Sequence, residues 1–201
     1  PVERTASETH RIAVFSSGLG RGSNLAAIHR YLSATNQPVQ IALAVFTRAA
    51  SPAYALAKDL GISSCVVPAK EMPAFERQVL SLITDYRIEL IALAGFMKQL
   101  SENFLSLVQI PVLNIHPALL PRYGGKGMYG MAVHEAVFAA GEELSGASIH
   151  RVDPLYDHGE ILAQKTVDIR DCKSASEVAK AVLKAEHELY GPTICKVLLR
   201  L

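Results

Sequence analysis

Ile12-Ala13-Val14-Phe15-Ser16-Ser17-Gly18-Leu19-Gly20-Arg21-Gly22-Ser23-Asn24-Leu25 reads as a buried strand, a glycine loop and the start of a helix. The apolar run does not alternate with polar residues, which suits a strand covered on both faces of a parallel sheet. Ser23 is a good helix-capping residue, and Leu25, Ile28 and Leu32 recur on one face of a helix expected over Ser23–Leu32.

The same alternation continues outward. Apolar runs at Ile41–Thr47, Ser64–Val67 and Leu90–Ala94 read as strands, and Ser51–Leu60 and Pro73–Tyr86 as amphipathic helices, giving β-α-β-α-β-α-β. In the second half we expect a strand at Val112–Ile115, a glycine-rich stretch from Gly124 to Gly130 and a helix at Ala132–Ala140. Strands at Ala147–Val152 and Ile161–Val167 follow, then a helix from Ala175 to Leu199 that Gly191-Pro192 is liable to bend or break. No linker, repeat or low-complexity tract interrupts the pattern. The expectation is a polar, frayed lead-in over residues 1–10, then one Rossmann-like, doubly wound α/β domain over 11–201 with a mostly parallel sheet. Ligands in such sheets gather beyond the carboxyl ends of the strands where connectivity reverses, here the loops after residues 12–16, 90–94 and 112–115.

Half of the 201 residues are hydrophobic and 19% are charged, an ordinary globular balance. A net charge of +1 provides no broad cationic field, so a small-molecule partner is expected rather than nucleic acid or an anionic membrane. No apolar run approaches the roughly 18 residues of a membrane span, and residues 1–10 lack the apolar stretch of a signal peptide. Cys65, Cys172 and Cys195 lack paired-thiol or metal-ligand spacing. A cytoplasmic protein with buried or half-buried thiols is expected. The seven histidines show no zinc-ligand pair on one helix turn, and no metal is expected; packing or a surface role is the commoner fate of His29, His134, His150 and His187.

Four segments could carry chemistry. The loop Ser16–Asn24 offers backbone N–H groups at a helix start, where phosphate is favoured. Phe46-Thr47-Arg48 stands where a dinucleotide site would need an acidic residue, so a mononucleotide-like phosphate fits better. At Leu113-Asn114-Ile115-His116-Pro117, residues i and i+2 of an extended segment share a face. Asn114 and His116 can therefore converge on one group, the amide donating to a developing oxyanion and the imidazole adding charge or a proton. In the acidic loop after His150, Asp153 and Asp157 are both candidates for a carboxylate that would raise the His116 pKa. Beyond Gly95, Phe96 and Met97 could wall a flat heterocycle or pack in the core.

In this order the segments resemble the glycinamide ribonucleotide formyltransferase family over about residues 11–195. The resemblance rests on Gly22-Ser23-Asn24-Leu25, Leu93–Met97, Asn114–Pro121 and Asp157-His158-Gly159, with Glu186-His187 near Tyr190 pointing to the same branch. It implies the formyltransferase fold and transfer of a formyl group from 10-formyltetrahydrofolate to the amine of glycinamide ribonucleotide in purine biosynthesis, without metal or covalent intermediate. On that resemblance Asn114 polarises the formyl oxygen, His116 stabilises the oxyanion, and Asp157 rather than Asp153 sets His116 and assists proton movement. Gly22, Ser23 and Asn24 would hold phosphate, with Glu186 near the ribose. Phe96, Met97, Lys98, Leu100 and the loop Val152–Asp157, including Asp153, would line the folate site. A monomer or homodimer is expected.

Three departures stand out. The glycine loop is about two residues longer than the family form, the stretch Tyr123–Gly130 is longer and richer in glycine and is expected to form a mobile flap, and His158 replaces a small residue beside the acid. The competing enzymes are formyltransferases acting on initiator tRNA or amino-sugar nucleotides, and a formyltetrahydrofolate hydrolase. Against them stand the end at Leu201, the lack of an N-terminal regulatory domain and the absence of a basic excess. A non-catalytic nucleotide-binding module would need only the glycine loop and the core.

Overall fold

The computed structural model describes residues 9–200; the lead-in expected at residues 1–10 lies outside the described residues as far as residue 8. Strand β1 (His10–Ser16) opens an order that continues α1 (Ser23–Ala34), β2 (Val39–Phe46), α2 (Pro52–Asp59), β3 (Ser64–Val66), α3 (Met72–Asp85) and β4 (Leu90–Leu93). Then follow α4 (Glu102–Val108), β5 (Val112–His116), α5 (Met131–Ala139), β6 (Leu144–Arg151), β7 (Ile161–Asp168) and α6 (Ala175–Leu199). The fold is α/β. It divides into two compact units, one of residues 1–98 with 194–201 and one of residues 99–193.

In the first unit the strands lie in the order β3-β2-β1-β4, and every pair is parallel. The chain steps from β1 outward to β2 and β3, then returns through α3 to the other side of β1. The connectivity therefore reverses between β1 and β4, and the loops leaving these two strands share one edge. Ile12, Ala13, Val14 and Phe15 are at most 1% exposed, as a strand covered on both faces requires.

The start of α1 differs from the sequence reading. Gly22, not Ser23, occupies the capping position, in the left-handed region at φ 78°, and no side chain caps the helix. A Cβ on Gly22 would stand 3.0 Å from the Ala53 Cβ and 3.1 Å from its Cα. Close approach of two backbones thus selects glycine here over a better cap.

In the second unit β6 lies between β5 and β7, antiparallel to both. Gly146 permits this pairing, because a Cβ there would fall 2.1 Å from the Lys165 carbonyl oxygen. Helix α4 was not foreseen. It starts where the Ser101 hydroxyl accepts the Phe104 N–H at 3.0 Å, and it buries Phe104 and Val108, one turn apart. Val137, Ile169, Val178 and Val182 form a core against which Tyr123, Val167 and Cys172 pack. Helix α6 continues through Gly191-Pro192, so the break expected as one alternative there does not occur. Tyr190, Ile194 and Cys195 on either side of the proline are buried, and that packing holds the helix across the missing N–H.

Candidate active site

The end of β5 carries the densest polar cluster. His116 is buried and Asn114 half-buried, and the antiparallel register sets His150 opposite Asn114 and Ser148 opposite His116. The Asn114 Nδ2 donates to His150 Nε2 at 3.1 Å, and the His150 Nδ1 donates to the Arg151 carbonyl at 3.2 Å. His116 Nε2–H donates to the Tyr123 carbonyl at 2.7 Å, leaving Nδ1 on the opposite side of the ring.

Asp157 meets that side. Its Oδ1 lies 3.5 Å from both His116 Nδ1 and His150 Nε2, and its Oδ2 accepts the Gly125 N–H at 3.0 Å. Asp157 is 11% exposed at the side chain and sits in the left-handed region at φ 51°. Asp153 is engaged elsewhere, accepting from His158 Nδ1 at 2.6 Å and from the Leu155 N–H at 2.9 Å. The carboxylate beside His116 is therefore Asp157, and the exposed His158 pairs with the other acid.

Burial pushes the His116 pKa below its ordinary value, and the pull of the Asp157 charge and the Tyr123 carbonyl offsets this only in part. The neighbouring carboxylate does pull this pKa up, as expected, but desolvation of the ring outweighs it. At Asp157 burial pushes the carboxyl up, but the nearby His150 and His116 rings and the Gly125 N–H together hold it below its usual value. A neutral imidazole beside an ionised carboxylate can pass a proton in either direction near neutral pH.

Ser148 ties down the turn after His116. Its hydroxyl donates to the Ala118 carbonyl at 2.6 Å and accepts from the Leu120 N–H at 3.0 Å and the Gln164 amide at 2.8 Å. From the other side, the Tyr190 hydroxyl donates to the Leu113 carbonyl at 3.2 Å, bracing the residue before Asn114.

In the first unit, the loop between β1 and α1 is held by its own serines and by β4. Ser16 Oγ accepts the Gly18 N–H at 3.3 Å, Ser17 Oγ accepts the Leu19 N–H at 3.4 Å, and the Ser17 N–H reaches the Gly95 carbonyl at 3.0 Å. A groove of about 150 Å³ runs along it, lined by Ser17, Arg21, Gly22, Ser23, Asn24 and Met97 among others. The first turn of α1 carries no acidic residue, which suits an anion at the positive end of the helix dipole.

The expected folate and ribose residues differ in exposure. Met97 and Lys98 are exposed, whereas Leu100 is buried. For Phe96 the structure shows the core-packing alternative: it is buried, stacks on Phe75 at 5.5 Å between ring centroids and meets Phe15 edge-on at 6.0 Å. Three aromatic rings gain more from mutual contact in a core than one gains at a wet edge. Val152 and Asp153 are half-buried, and Glu186 is buried on α6.

The sequence matches, over residues 10–194, the family described as formyl transferase. The chain belongs to the formyl transferase family. Among its relatives is the chloroplastic phosphoribosylglycinamide formyltransferase of Vigna unguiculata, 36% identical over 90% of this chain and 58% of that protein, so the chain spans less than two thirds of that relative. The phosphoribosylglycinamide formyltransferase of Bacillus subtilis is 33% identical over 95% of each chain. The crystal structure of the Brucella melitensis phosphoribosylglycinamide formyltransferase matches with a TM-score of 0.85 at 33% identity, covering 94% of this chain and 96% of that one.

Three residues of this cluster escaped the sequence reading: His150, Tyr123 and Ser148. The signal for two of them was present, since Ser148-x-His150 repeats the i, i+2 spacing of Asn114-x-His116 on the strand that pairs with it. Among the described residues no helix is long and apolar enough to cross a membrane, and no group of three or more His, Cys, Asp or Glu side chains could hold a metal ion. The three cysteines are free thiols.

Proposed function

We propose that this chain transfers a formyl group from 10-formyltetrahydrofolate to the primary amine of glycinamide ribonucleotide, a step of purine biosynthesis. The carrying observation is the Asp157 carboxylate 3.5 Å from His116 Nδ1, with Asn114 two residues earlier on the same strand, in a member of the formyl transferase family.

The amine lone pair attacks the formyl carbon and the carbonyl electrons move onto oxygen. Asn114 donates its second amide hydrogen to that oxygen while His150 holds the first, and His116 adds a donor through Nδ1 once that nitrogen has taken up a proton. Asp157 stabilises the ammonium formed on attack and, with His116, carries its proton toward the departing folate nitrogen as the carbon–nitrogen bond breaks. No nucleophilic side chain is required. The loop at Gly22, Ser23 and Asn24 binds the phosphate, Glu186 serves the ribose, and Met97, Lys98, Val152 and Asp153 serve the folate. Phe96 and Leu100 act from within the core, supporting this edge.

We take residues 11–201 as one functional domain acting in the cytoplasm as a monomer or homodimer. The segment 124–130, with Gly125 and Gly127 at positive φ, closes over substrate.

The test is release of deformylated folate, followed by absorbance, on mixing the protein with both substrates, with His116→Ala as control. Release that needs the ribonucleotide and is lost in the variant supports the proposal. Release without acceptor makes the chain a hydrolase, and no turnover by folded protein points to another acceptor or to a non-catalytic binding module.

A further inference from the structure

The Tyr123 carbonyl that receives the His116 Nε2–H belongs to a residue in an unusual backbone state. Tyr123 is a bulky aromatic at φ 56°, a conformation that relaxes unless its surroundings hold it. What holds it is its side chain. The phenol donates to Glu142 Oε1 at 2.7 Å, the Arg122 guanidinium lies 5.3 Å from the ring centre, and Arg122 closes the triangle with an ion pair to the same carboxylate. Glu142 directly follows the turn that ends α5, whose Val137 packs with Tyr123 in the core of the unit.

The triangle borders a cavity of about 410 Å³ also lined by Val137, Leu144 and Ser145. On that side there is room for the ring to swing if the carboxylate lets go, and the backbone at Tyr123, no longer held at positive φ, then relaxes and shifts its carbonyl relative to His116. We propose that Glu142, acting through the Tyr123 phenol and with Arg122 fixing the carboxylate, is a positioning residue that selects the Nε2–H form of His116 and so leaves Nδ1, the nitrogen beside Asp157, as the site that takes up a proton. Neither Glu142 nor the phenol touches the reacting atoms. Their effect is on the state of the imidazole before substrate arrives, and its consequence for rate rests on the function proposed above.

The separation of roles fits the local charge. Burial raises the cost of an imidazolium at His116, so the ring is held mainly by which nitrogen finds an acceptor. A backbone carbonyl at 2.7 Å decides that, provided it stays where it is.

The test compares wild type with Tyr123→Phe, Glu142→Ala and Glu142→Gln by two readouts. The first is the nitrogen-15 NMR shift pair of the His116 imidazole in the free protein, which reports the tautomer and needs no substrate. The second is kcat and KM for both substrates. We expect Tyr123→Phe and Glu142→Ala to move His116 away from the Nε2–H form and to lower kcat about fivefold, with KM changing less than about twofold. Glu142→Gln keeps an acceptor for the phenol and restores the wild-type tautomer and most of kcat. The Tyr123→Phe, Glu142→Ala double variant is no worse than either single variant, because both break one chain of contacts. Unchanged His116 shifts in folded Tyr123→Phe and Glu142→Ala overturn the proposal whatever the activity. Failure of the assumed transferase reaction leaves the NMR result to decide the positioning claim alone.

Discussion

Replacing Ser148 with alanine removes one oxygen from a fully buried position and breaks three hydrogen bonds at once. The Ala118 carbonyl loses its hydrogen bond of 2.6 Å and the Leu120 N–H loses its acceptor at 3.0 Å. The Gln164 amide loses its 2.8 Å contact but keeps the Leu120 carbonyl at 2.9 Å. A buried donor or acceptor left unmade costs about 1–3 kcal/mol, and the vacated space is too small for a water molecule to substitute. With two groups orphaned outright, the loss comes to about 3 kcal/mol. For a chain of this size that lowers Tm by about 6–12 °C. Urea unfolding should show a lower midpoint with an unchanged slope, since the surface exposed on unfolding is the same. Because Ser148 faces His116 across the β5–β6 pair and ties the turn directly after it, kcat should fall as well, about tenfold, under conditions where the variant is folded. A stability loss below about 1 kcal/mol would refute the reasoning, showing that the turn is held by other contacts.

Other perturbations probe the site more directly. Asp157→Asn removes the only carboxylate beside both imidazoles among the described residues, and kcat should fall about 100-fold or more while the protein stays folded; steady-state kinetics with unchanged kcat would count against a role in proton transfer. Asp157, held below its usual value, stabilises the fold above the unfolded carboxyl value, and that contribution is lost as pH falls through the lower folded value, so acid unfolding of the variant should lack this component. His116 titrates below its ordinary 6.5, so the unfolded chain binds the proton first and stability drops as pH falls from 6.5 toward the folded value. In His116→Asn that decrement disappears, and urea unfolding at pH 7.5 and pH 5.5 should show a smaller difference than in wild type; equal differences would place the ring in a more hydrated state. Gly124→Ala puts a methyl group 2.6 Å from Leu120 Cδ2 and 3.2 Å from Asp157 Cβ, so we expect a cost of about 1–2 kcal/mol in thermal unfolding and a larger proportional loss in kcat.

The parts of the fold that were legible in the sequence are those written in one dimension. The unbroken apolar runs at Ile12–Phe15 and Leu90–Leu93 announce strands covered on both faces, and Asn114-x-His116 announces two polar groups on one face of a strand end. What was missed depends on neighbours distant in sequence. The cap at Gly22 is decided by Ala53, the burial of Phe96 by Phe15 and Phe75, and the unbroken path of α6 by packing on either side of Pro192. His150 was read as a packing or surface residue because its partner Asn114 is named only by the register of β6 against β5. Helix α4 has seven residues and two buried anchors, too short for periodicity to distinguish it from a loop.

Asn114, His116, Ser148, His150 and Asp157 all come from one continuous stretch of the second unit, while the glycine loop belongs to the first. Mutation can therefore remodel the glycine loop without altering the residues of the imidazole–carboxylate cluster, and the reverse also holds. Inheritance can keep one chemistry intact in such a chain while the molecule it is applied to changes.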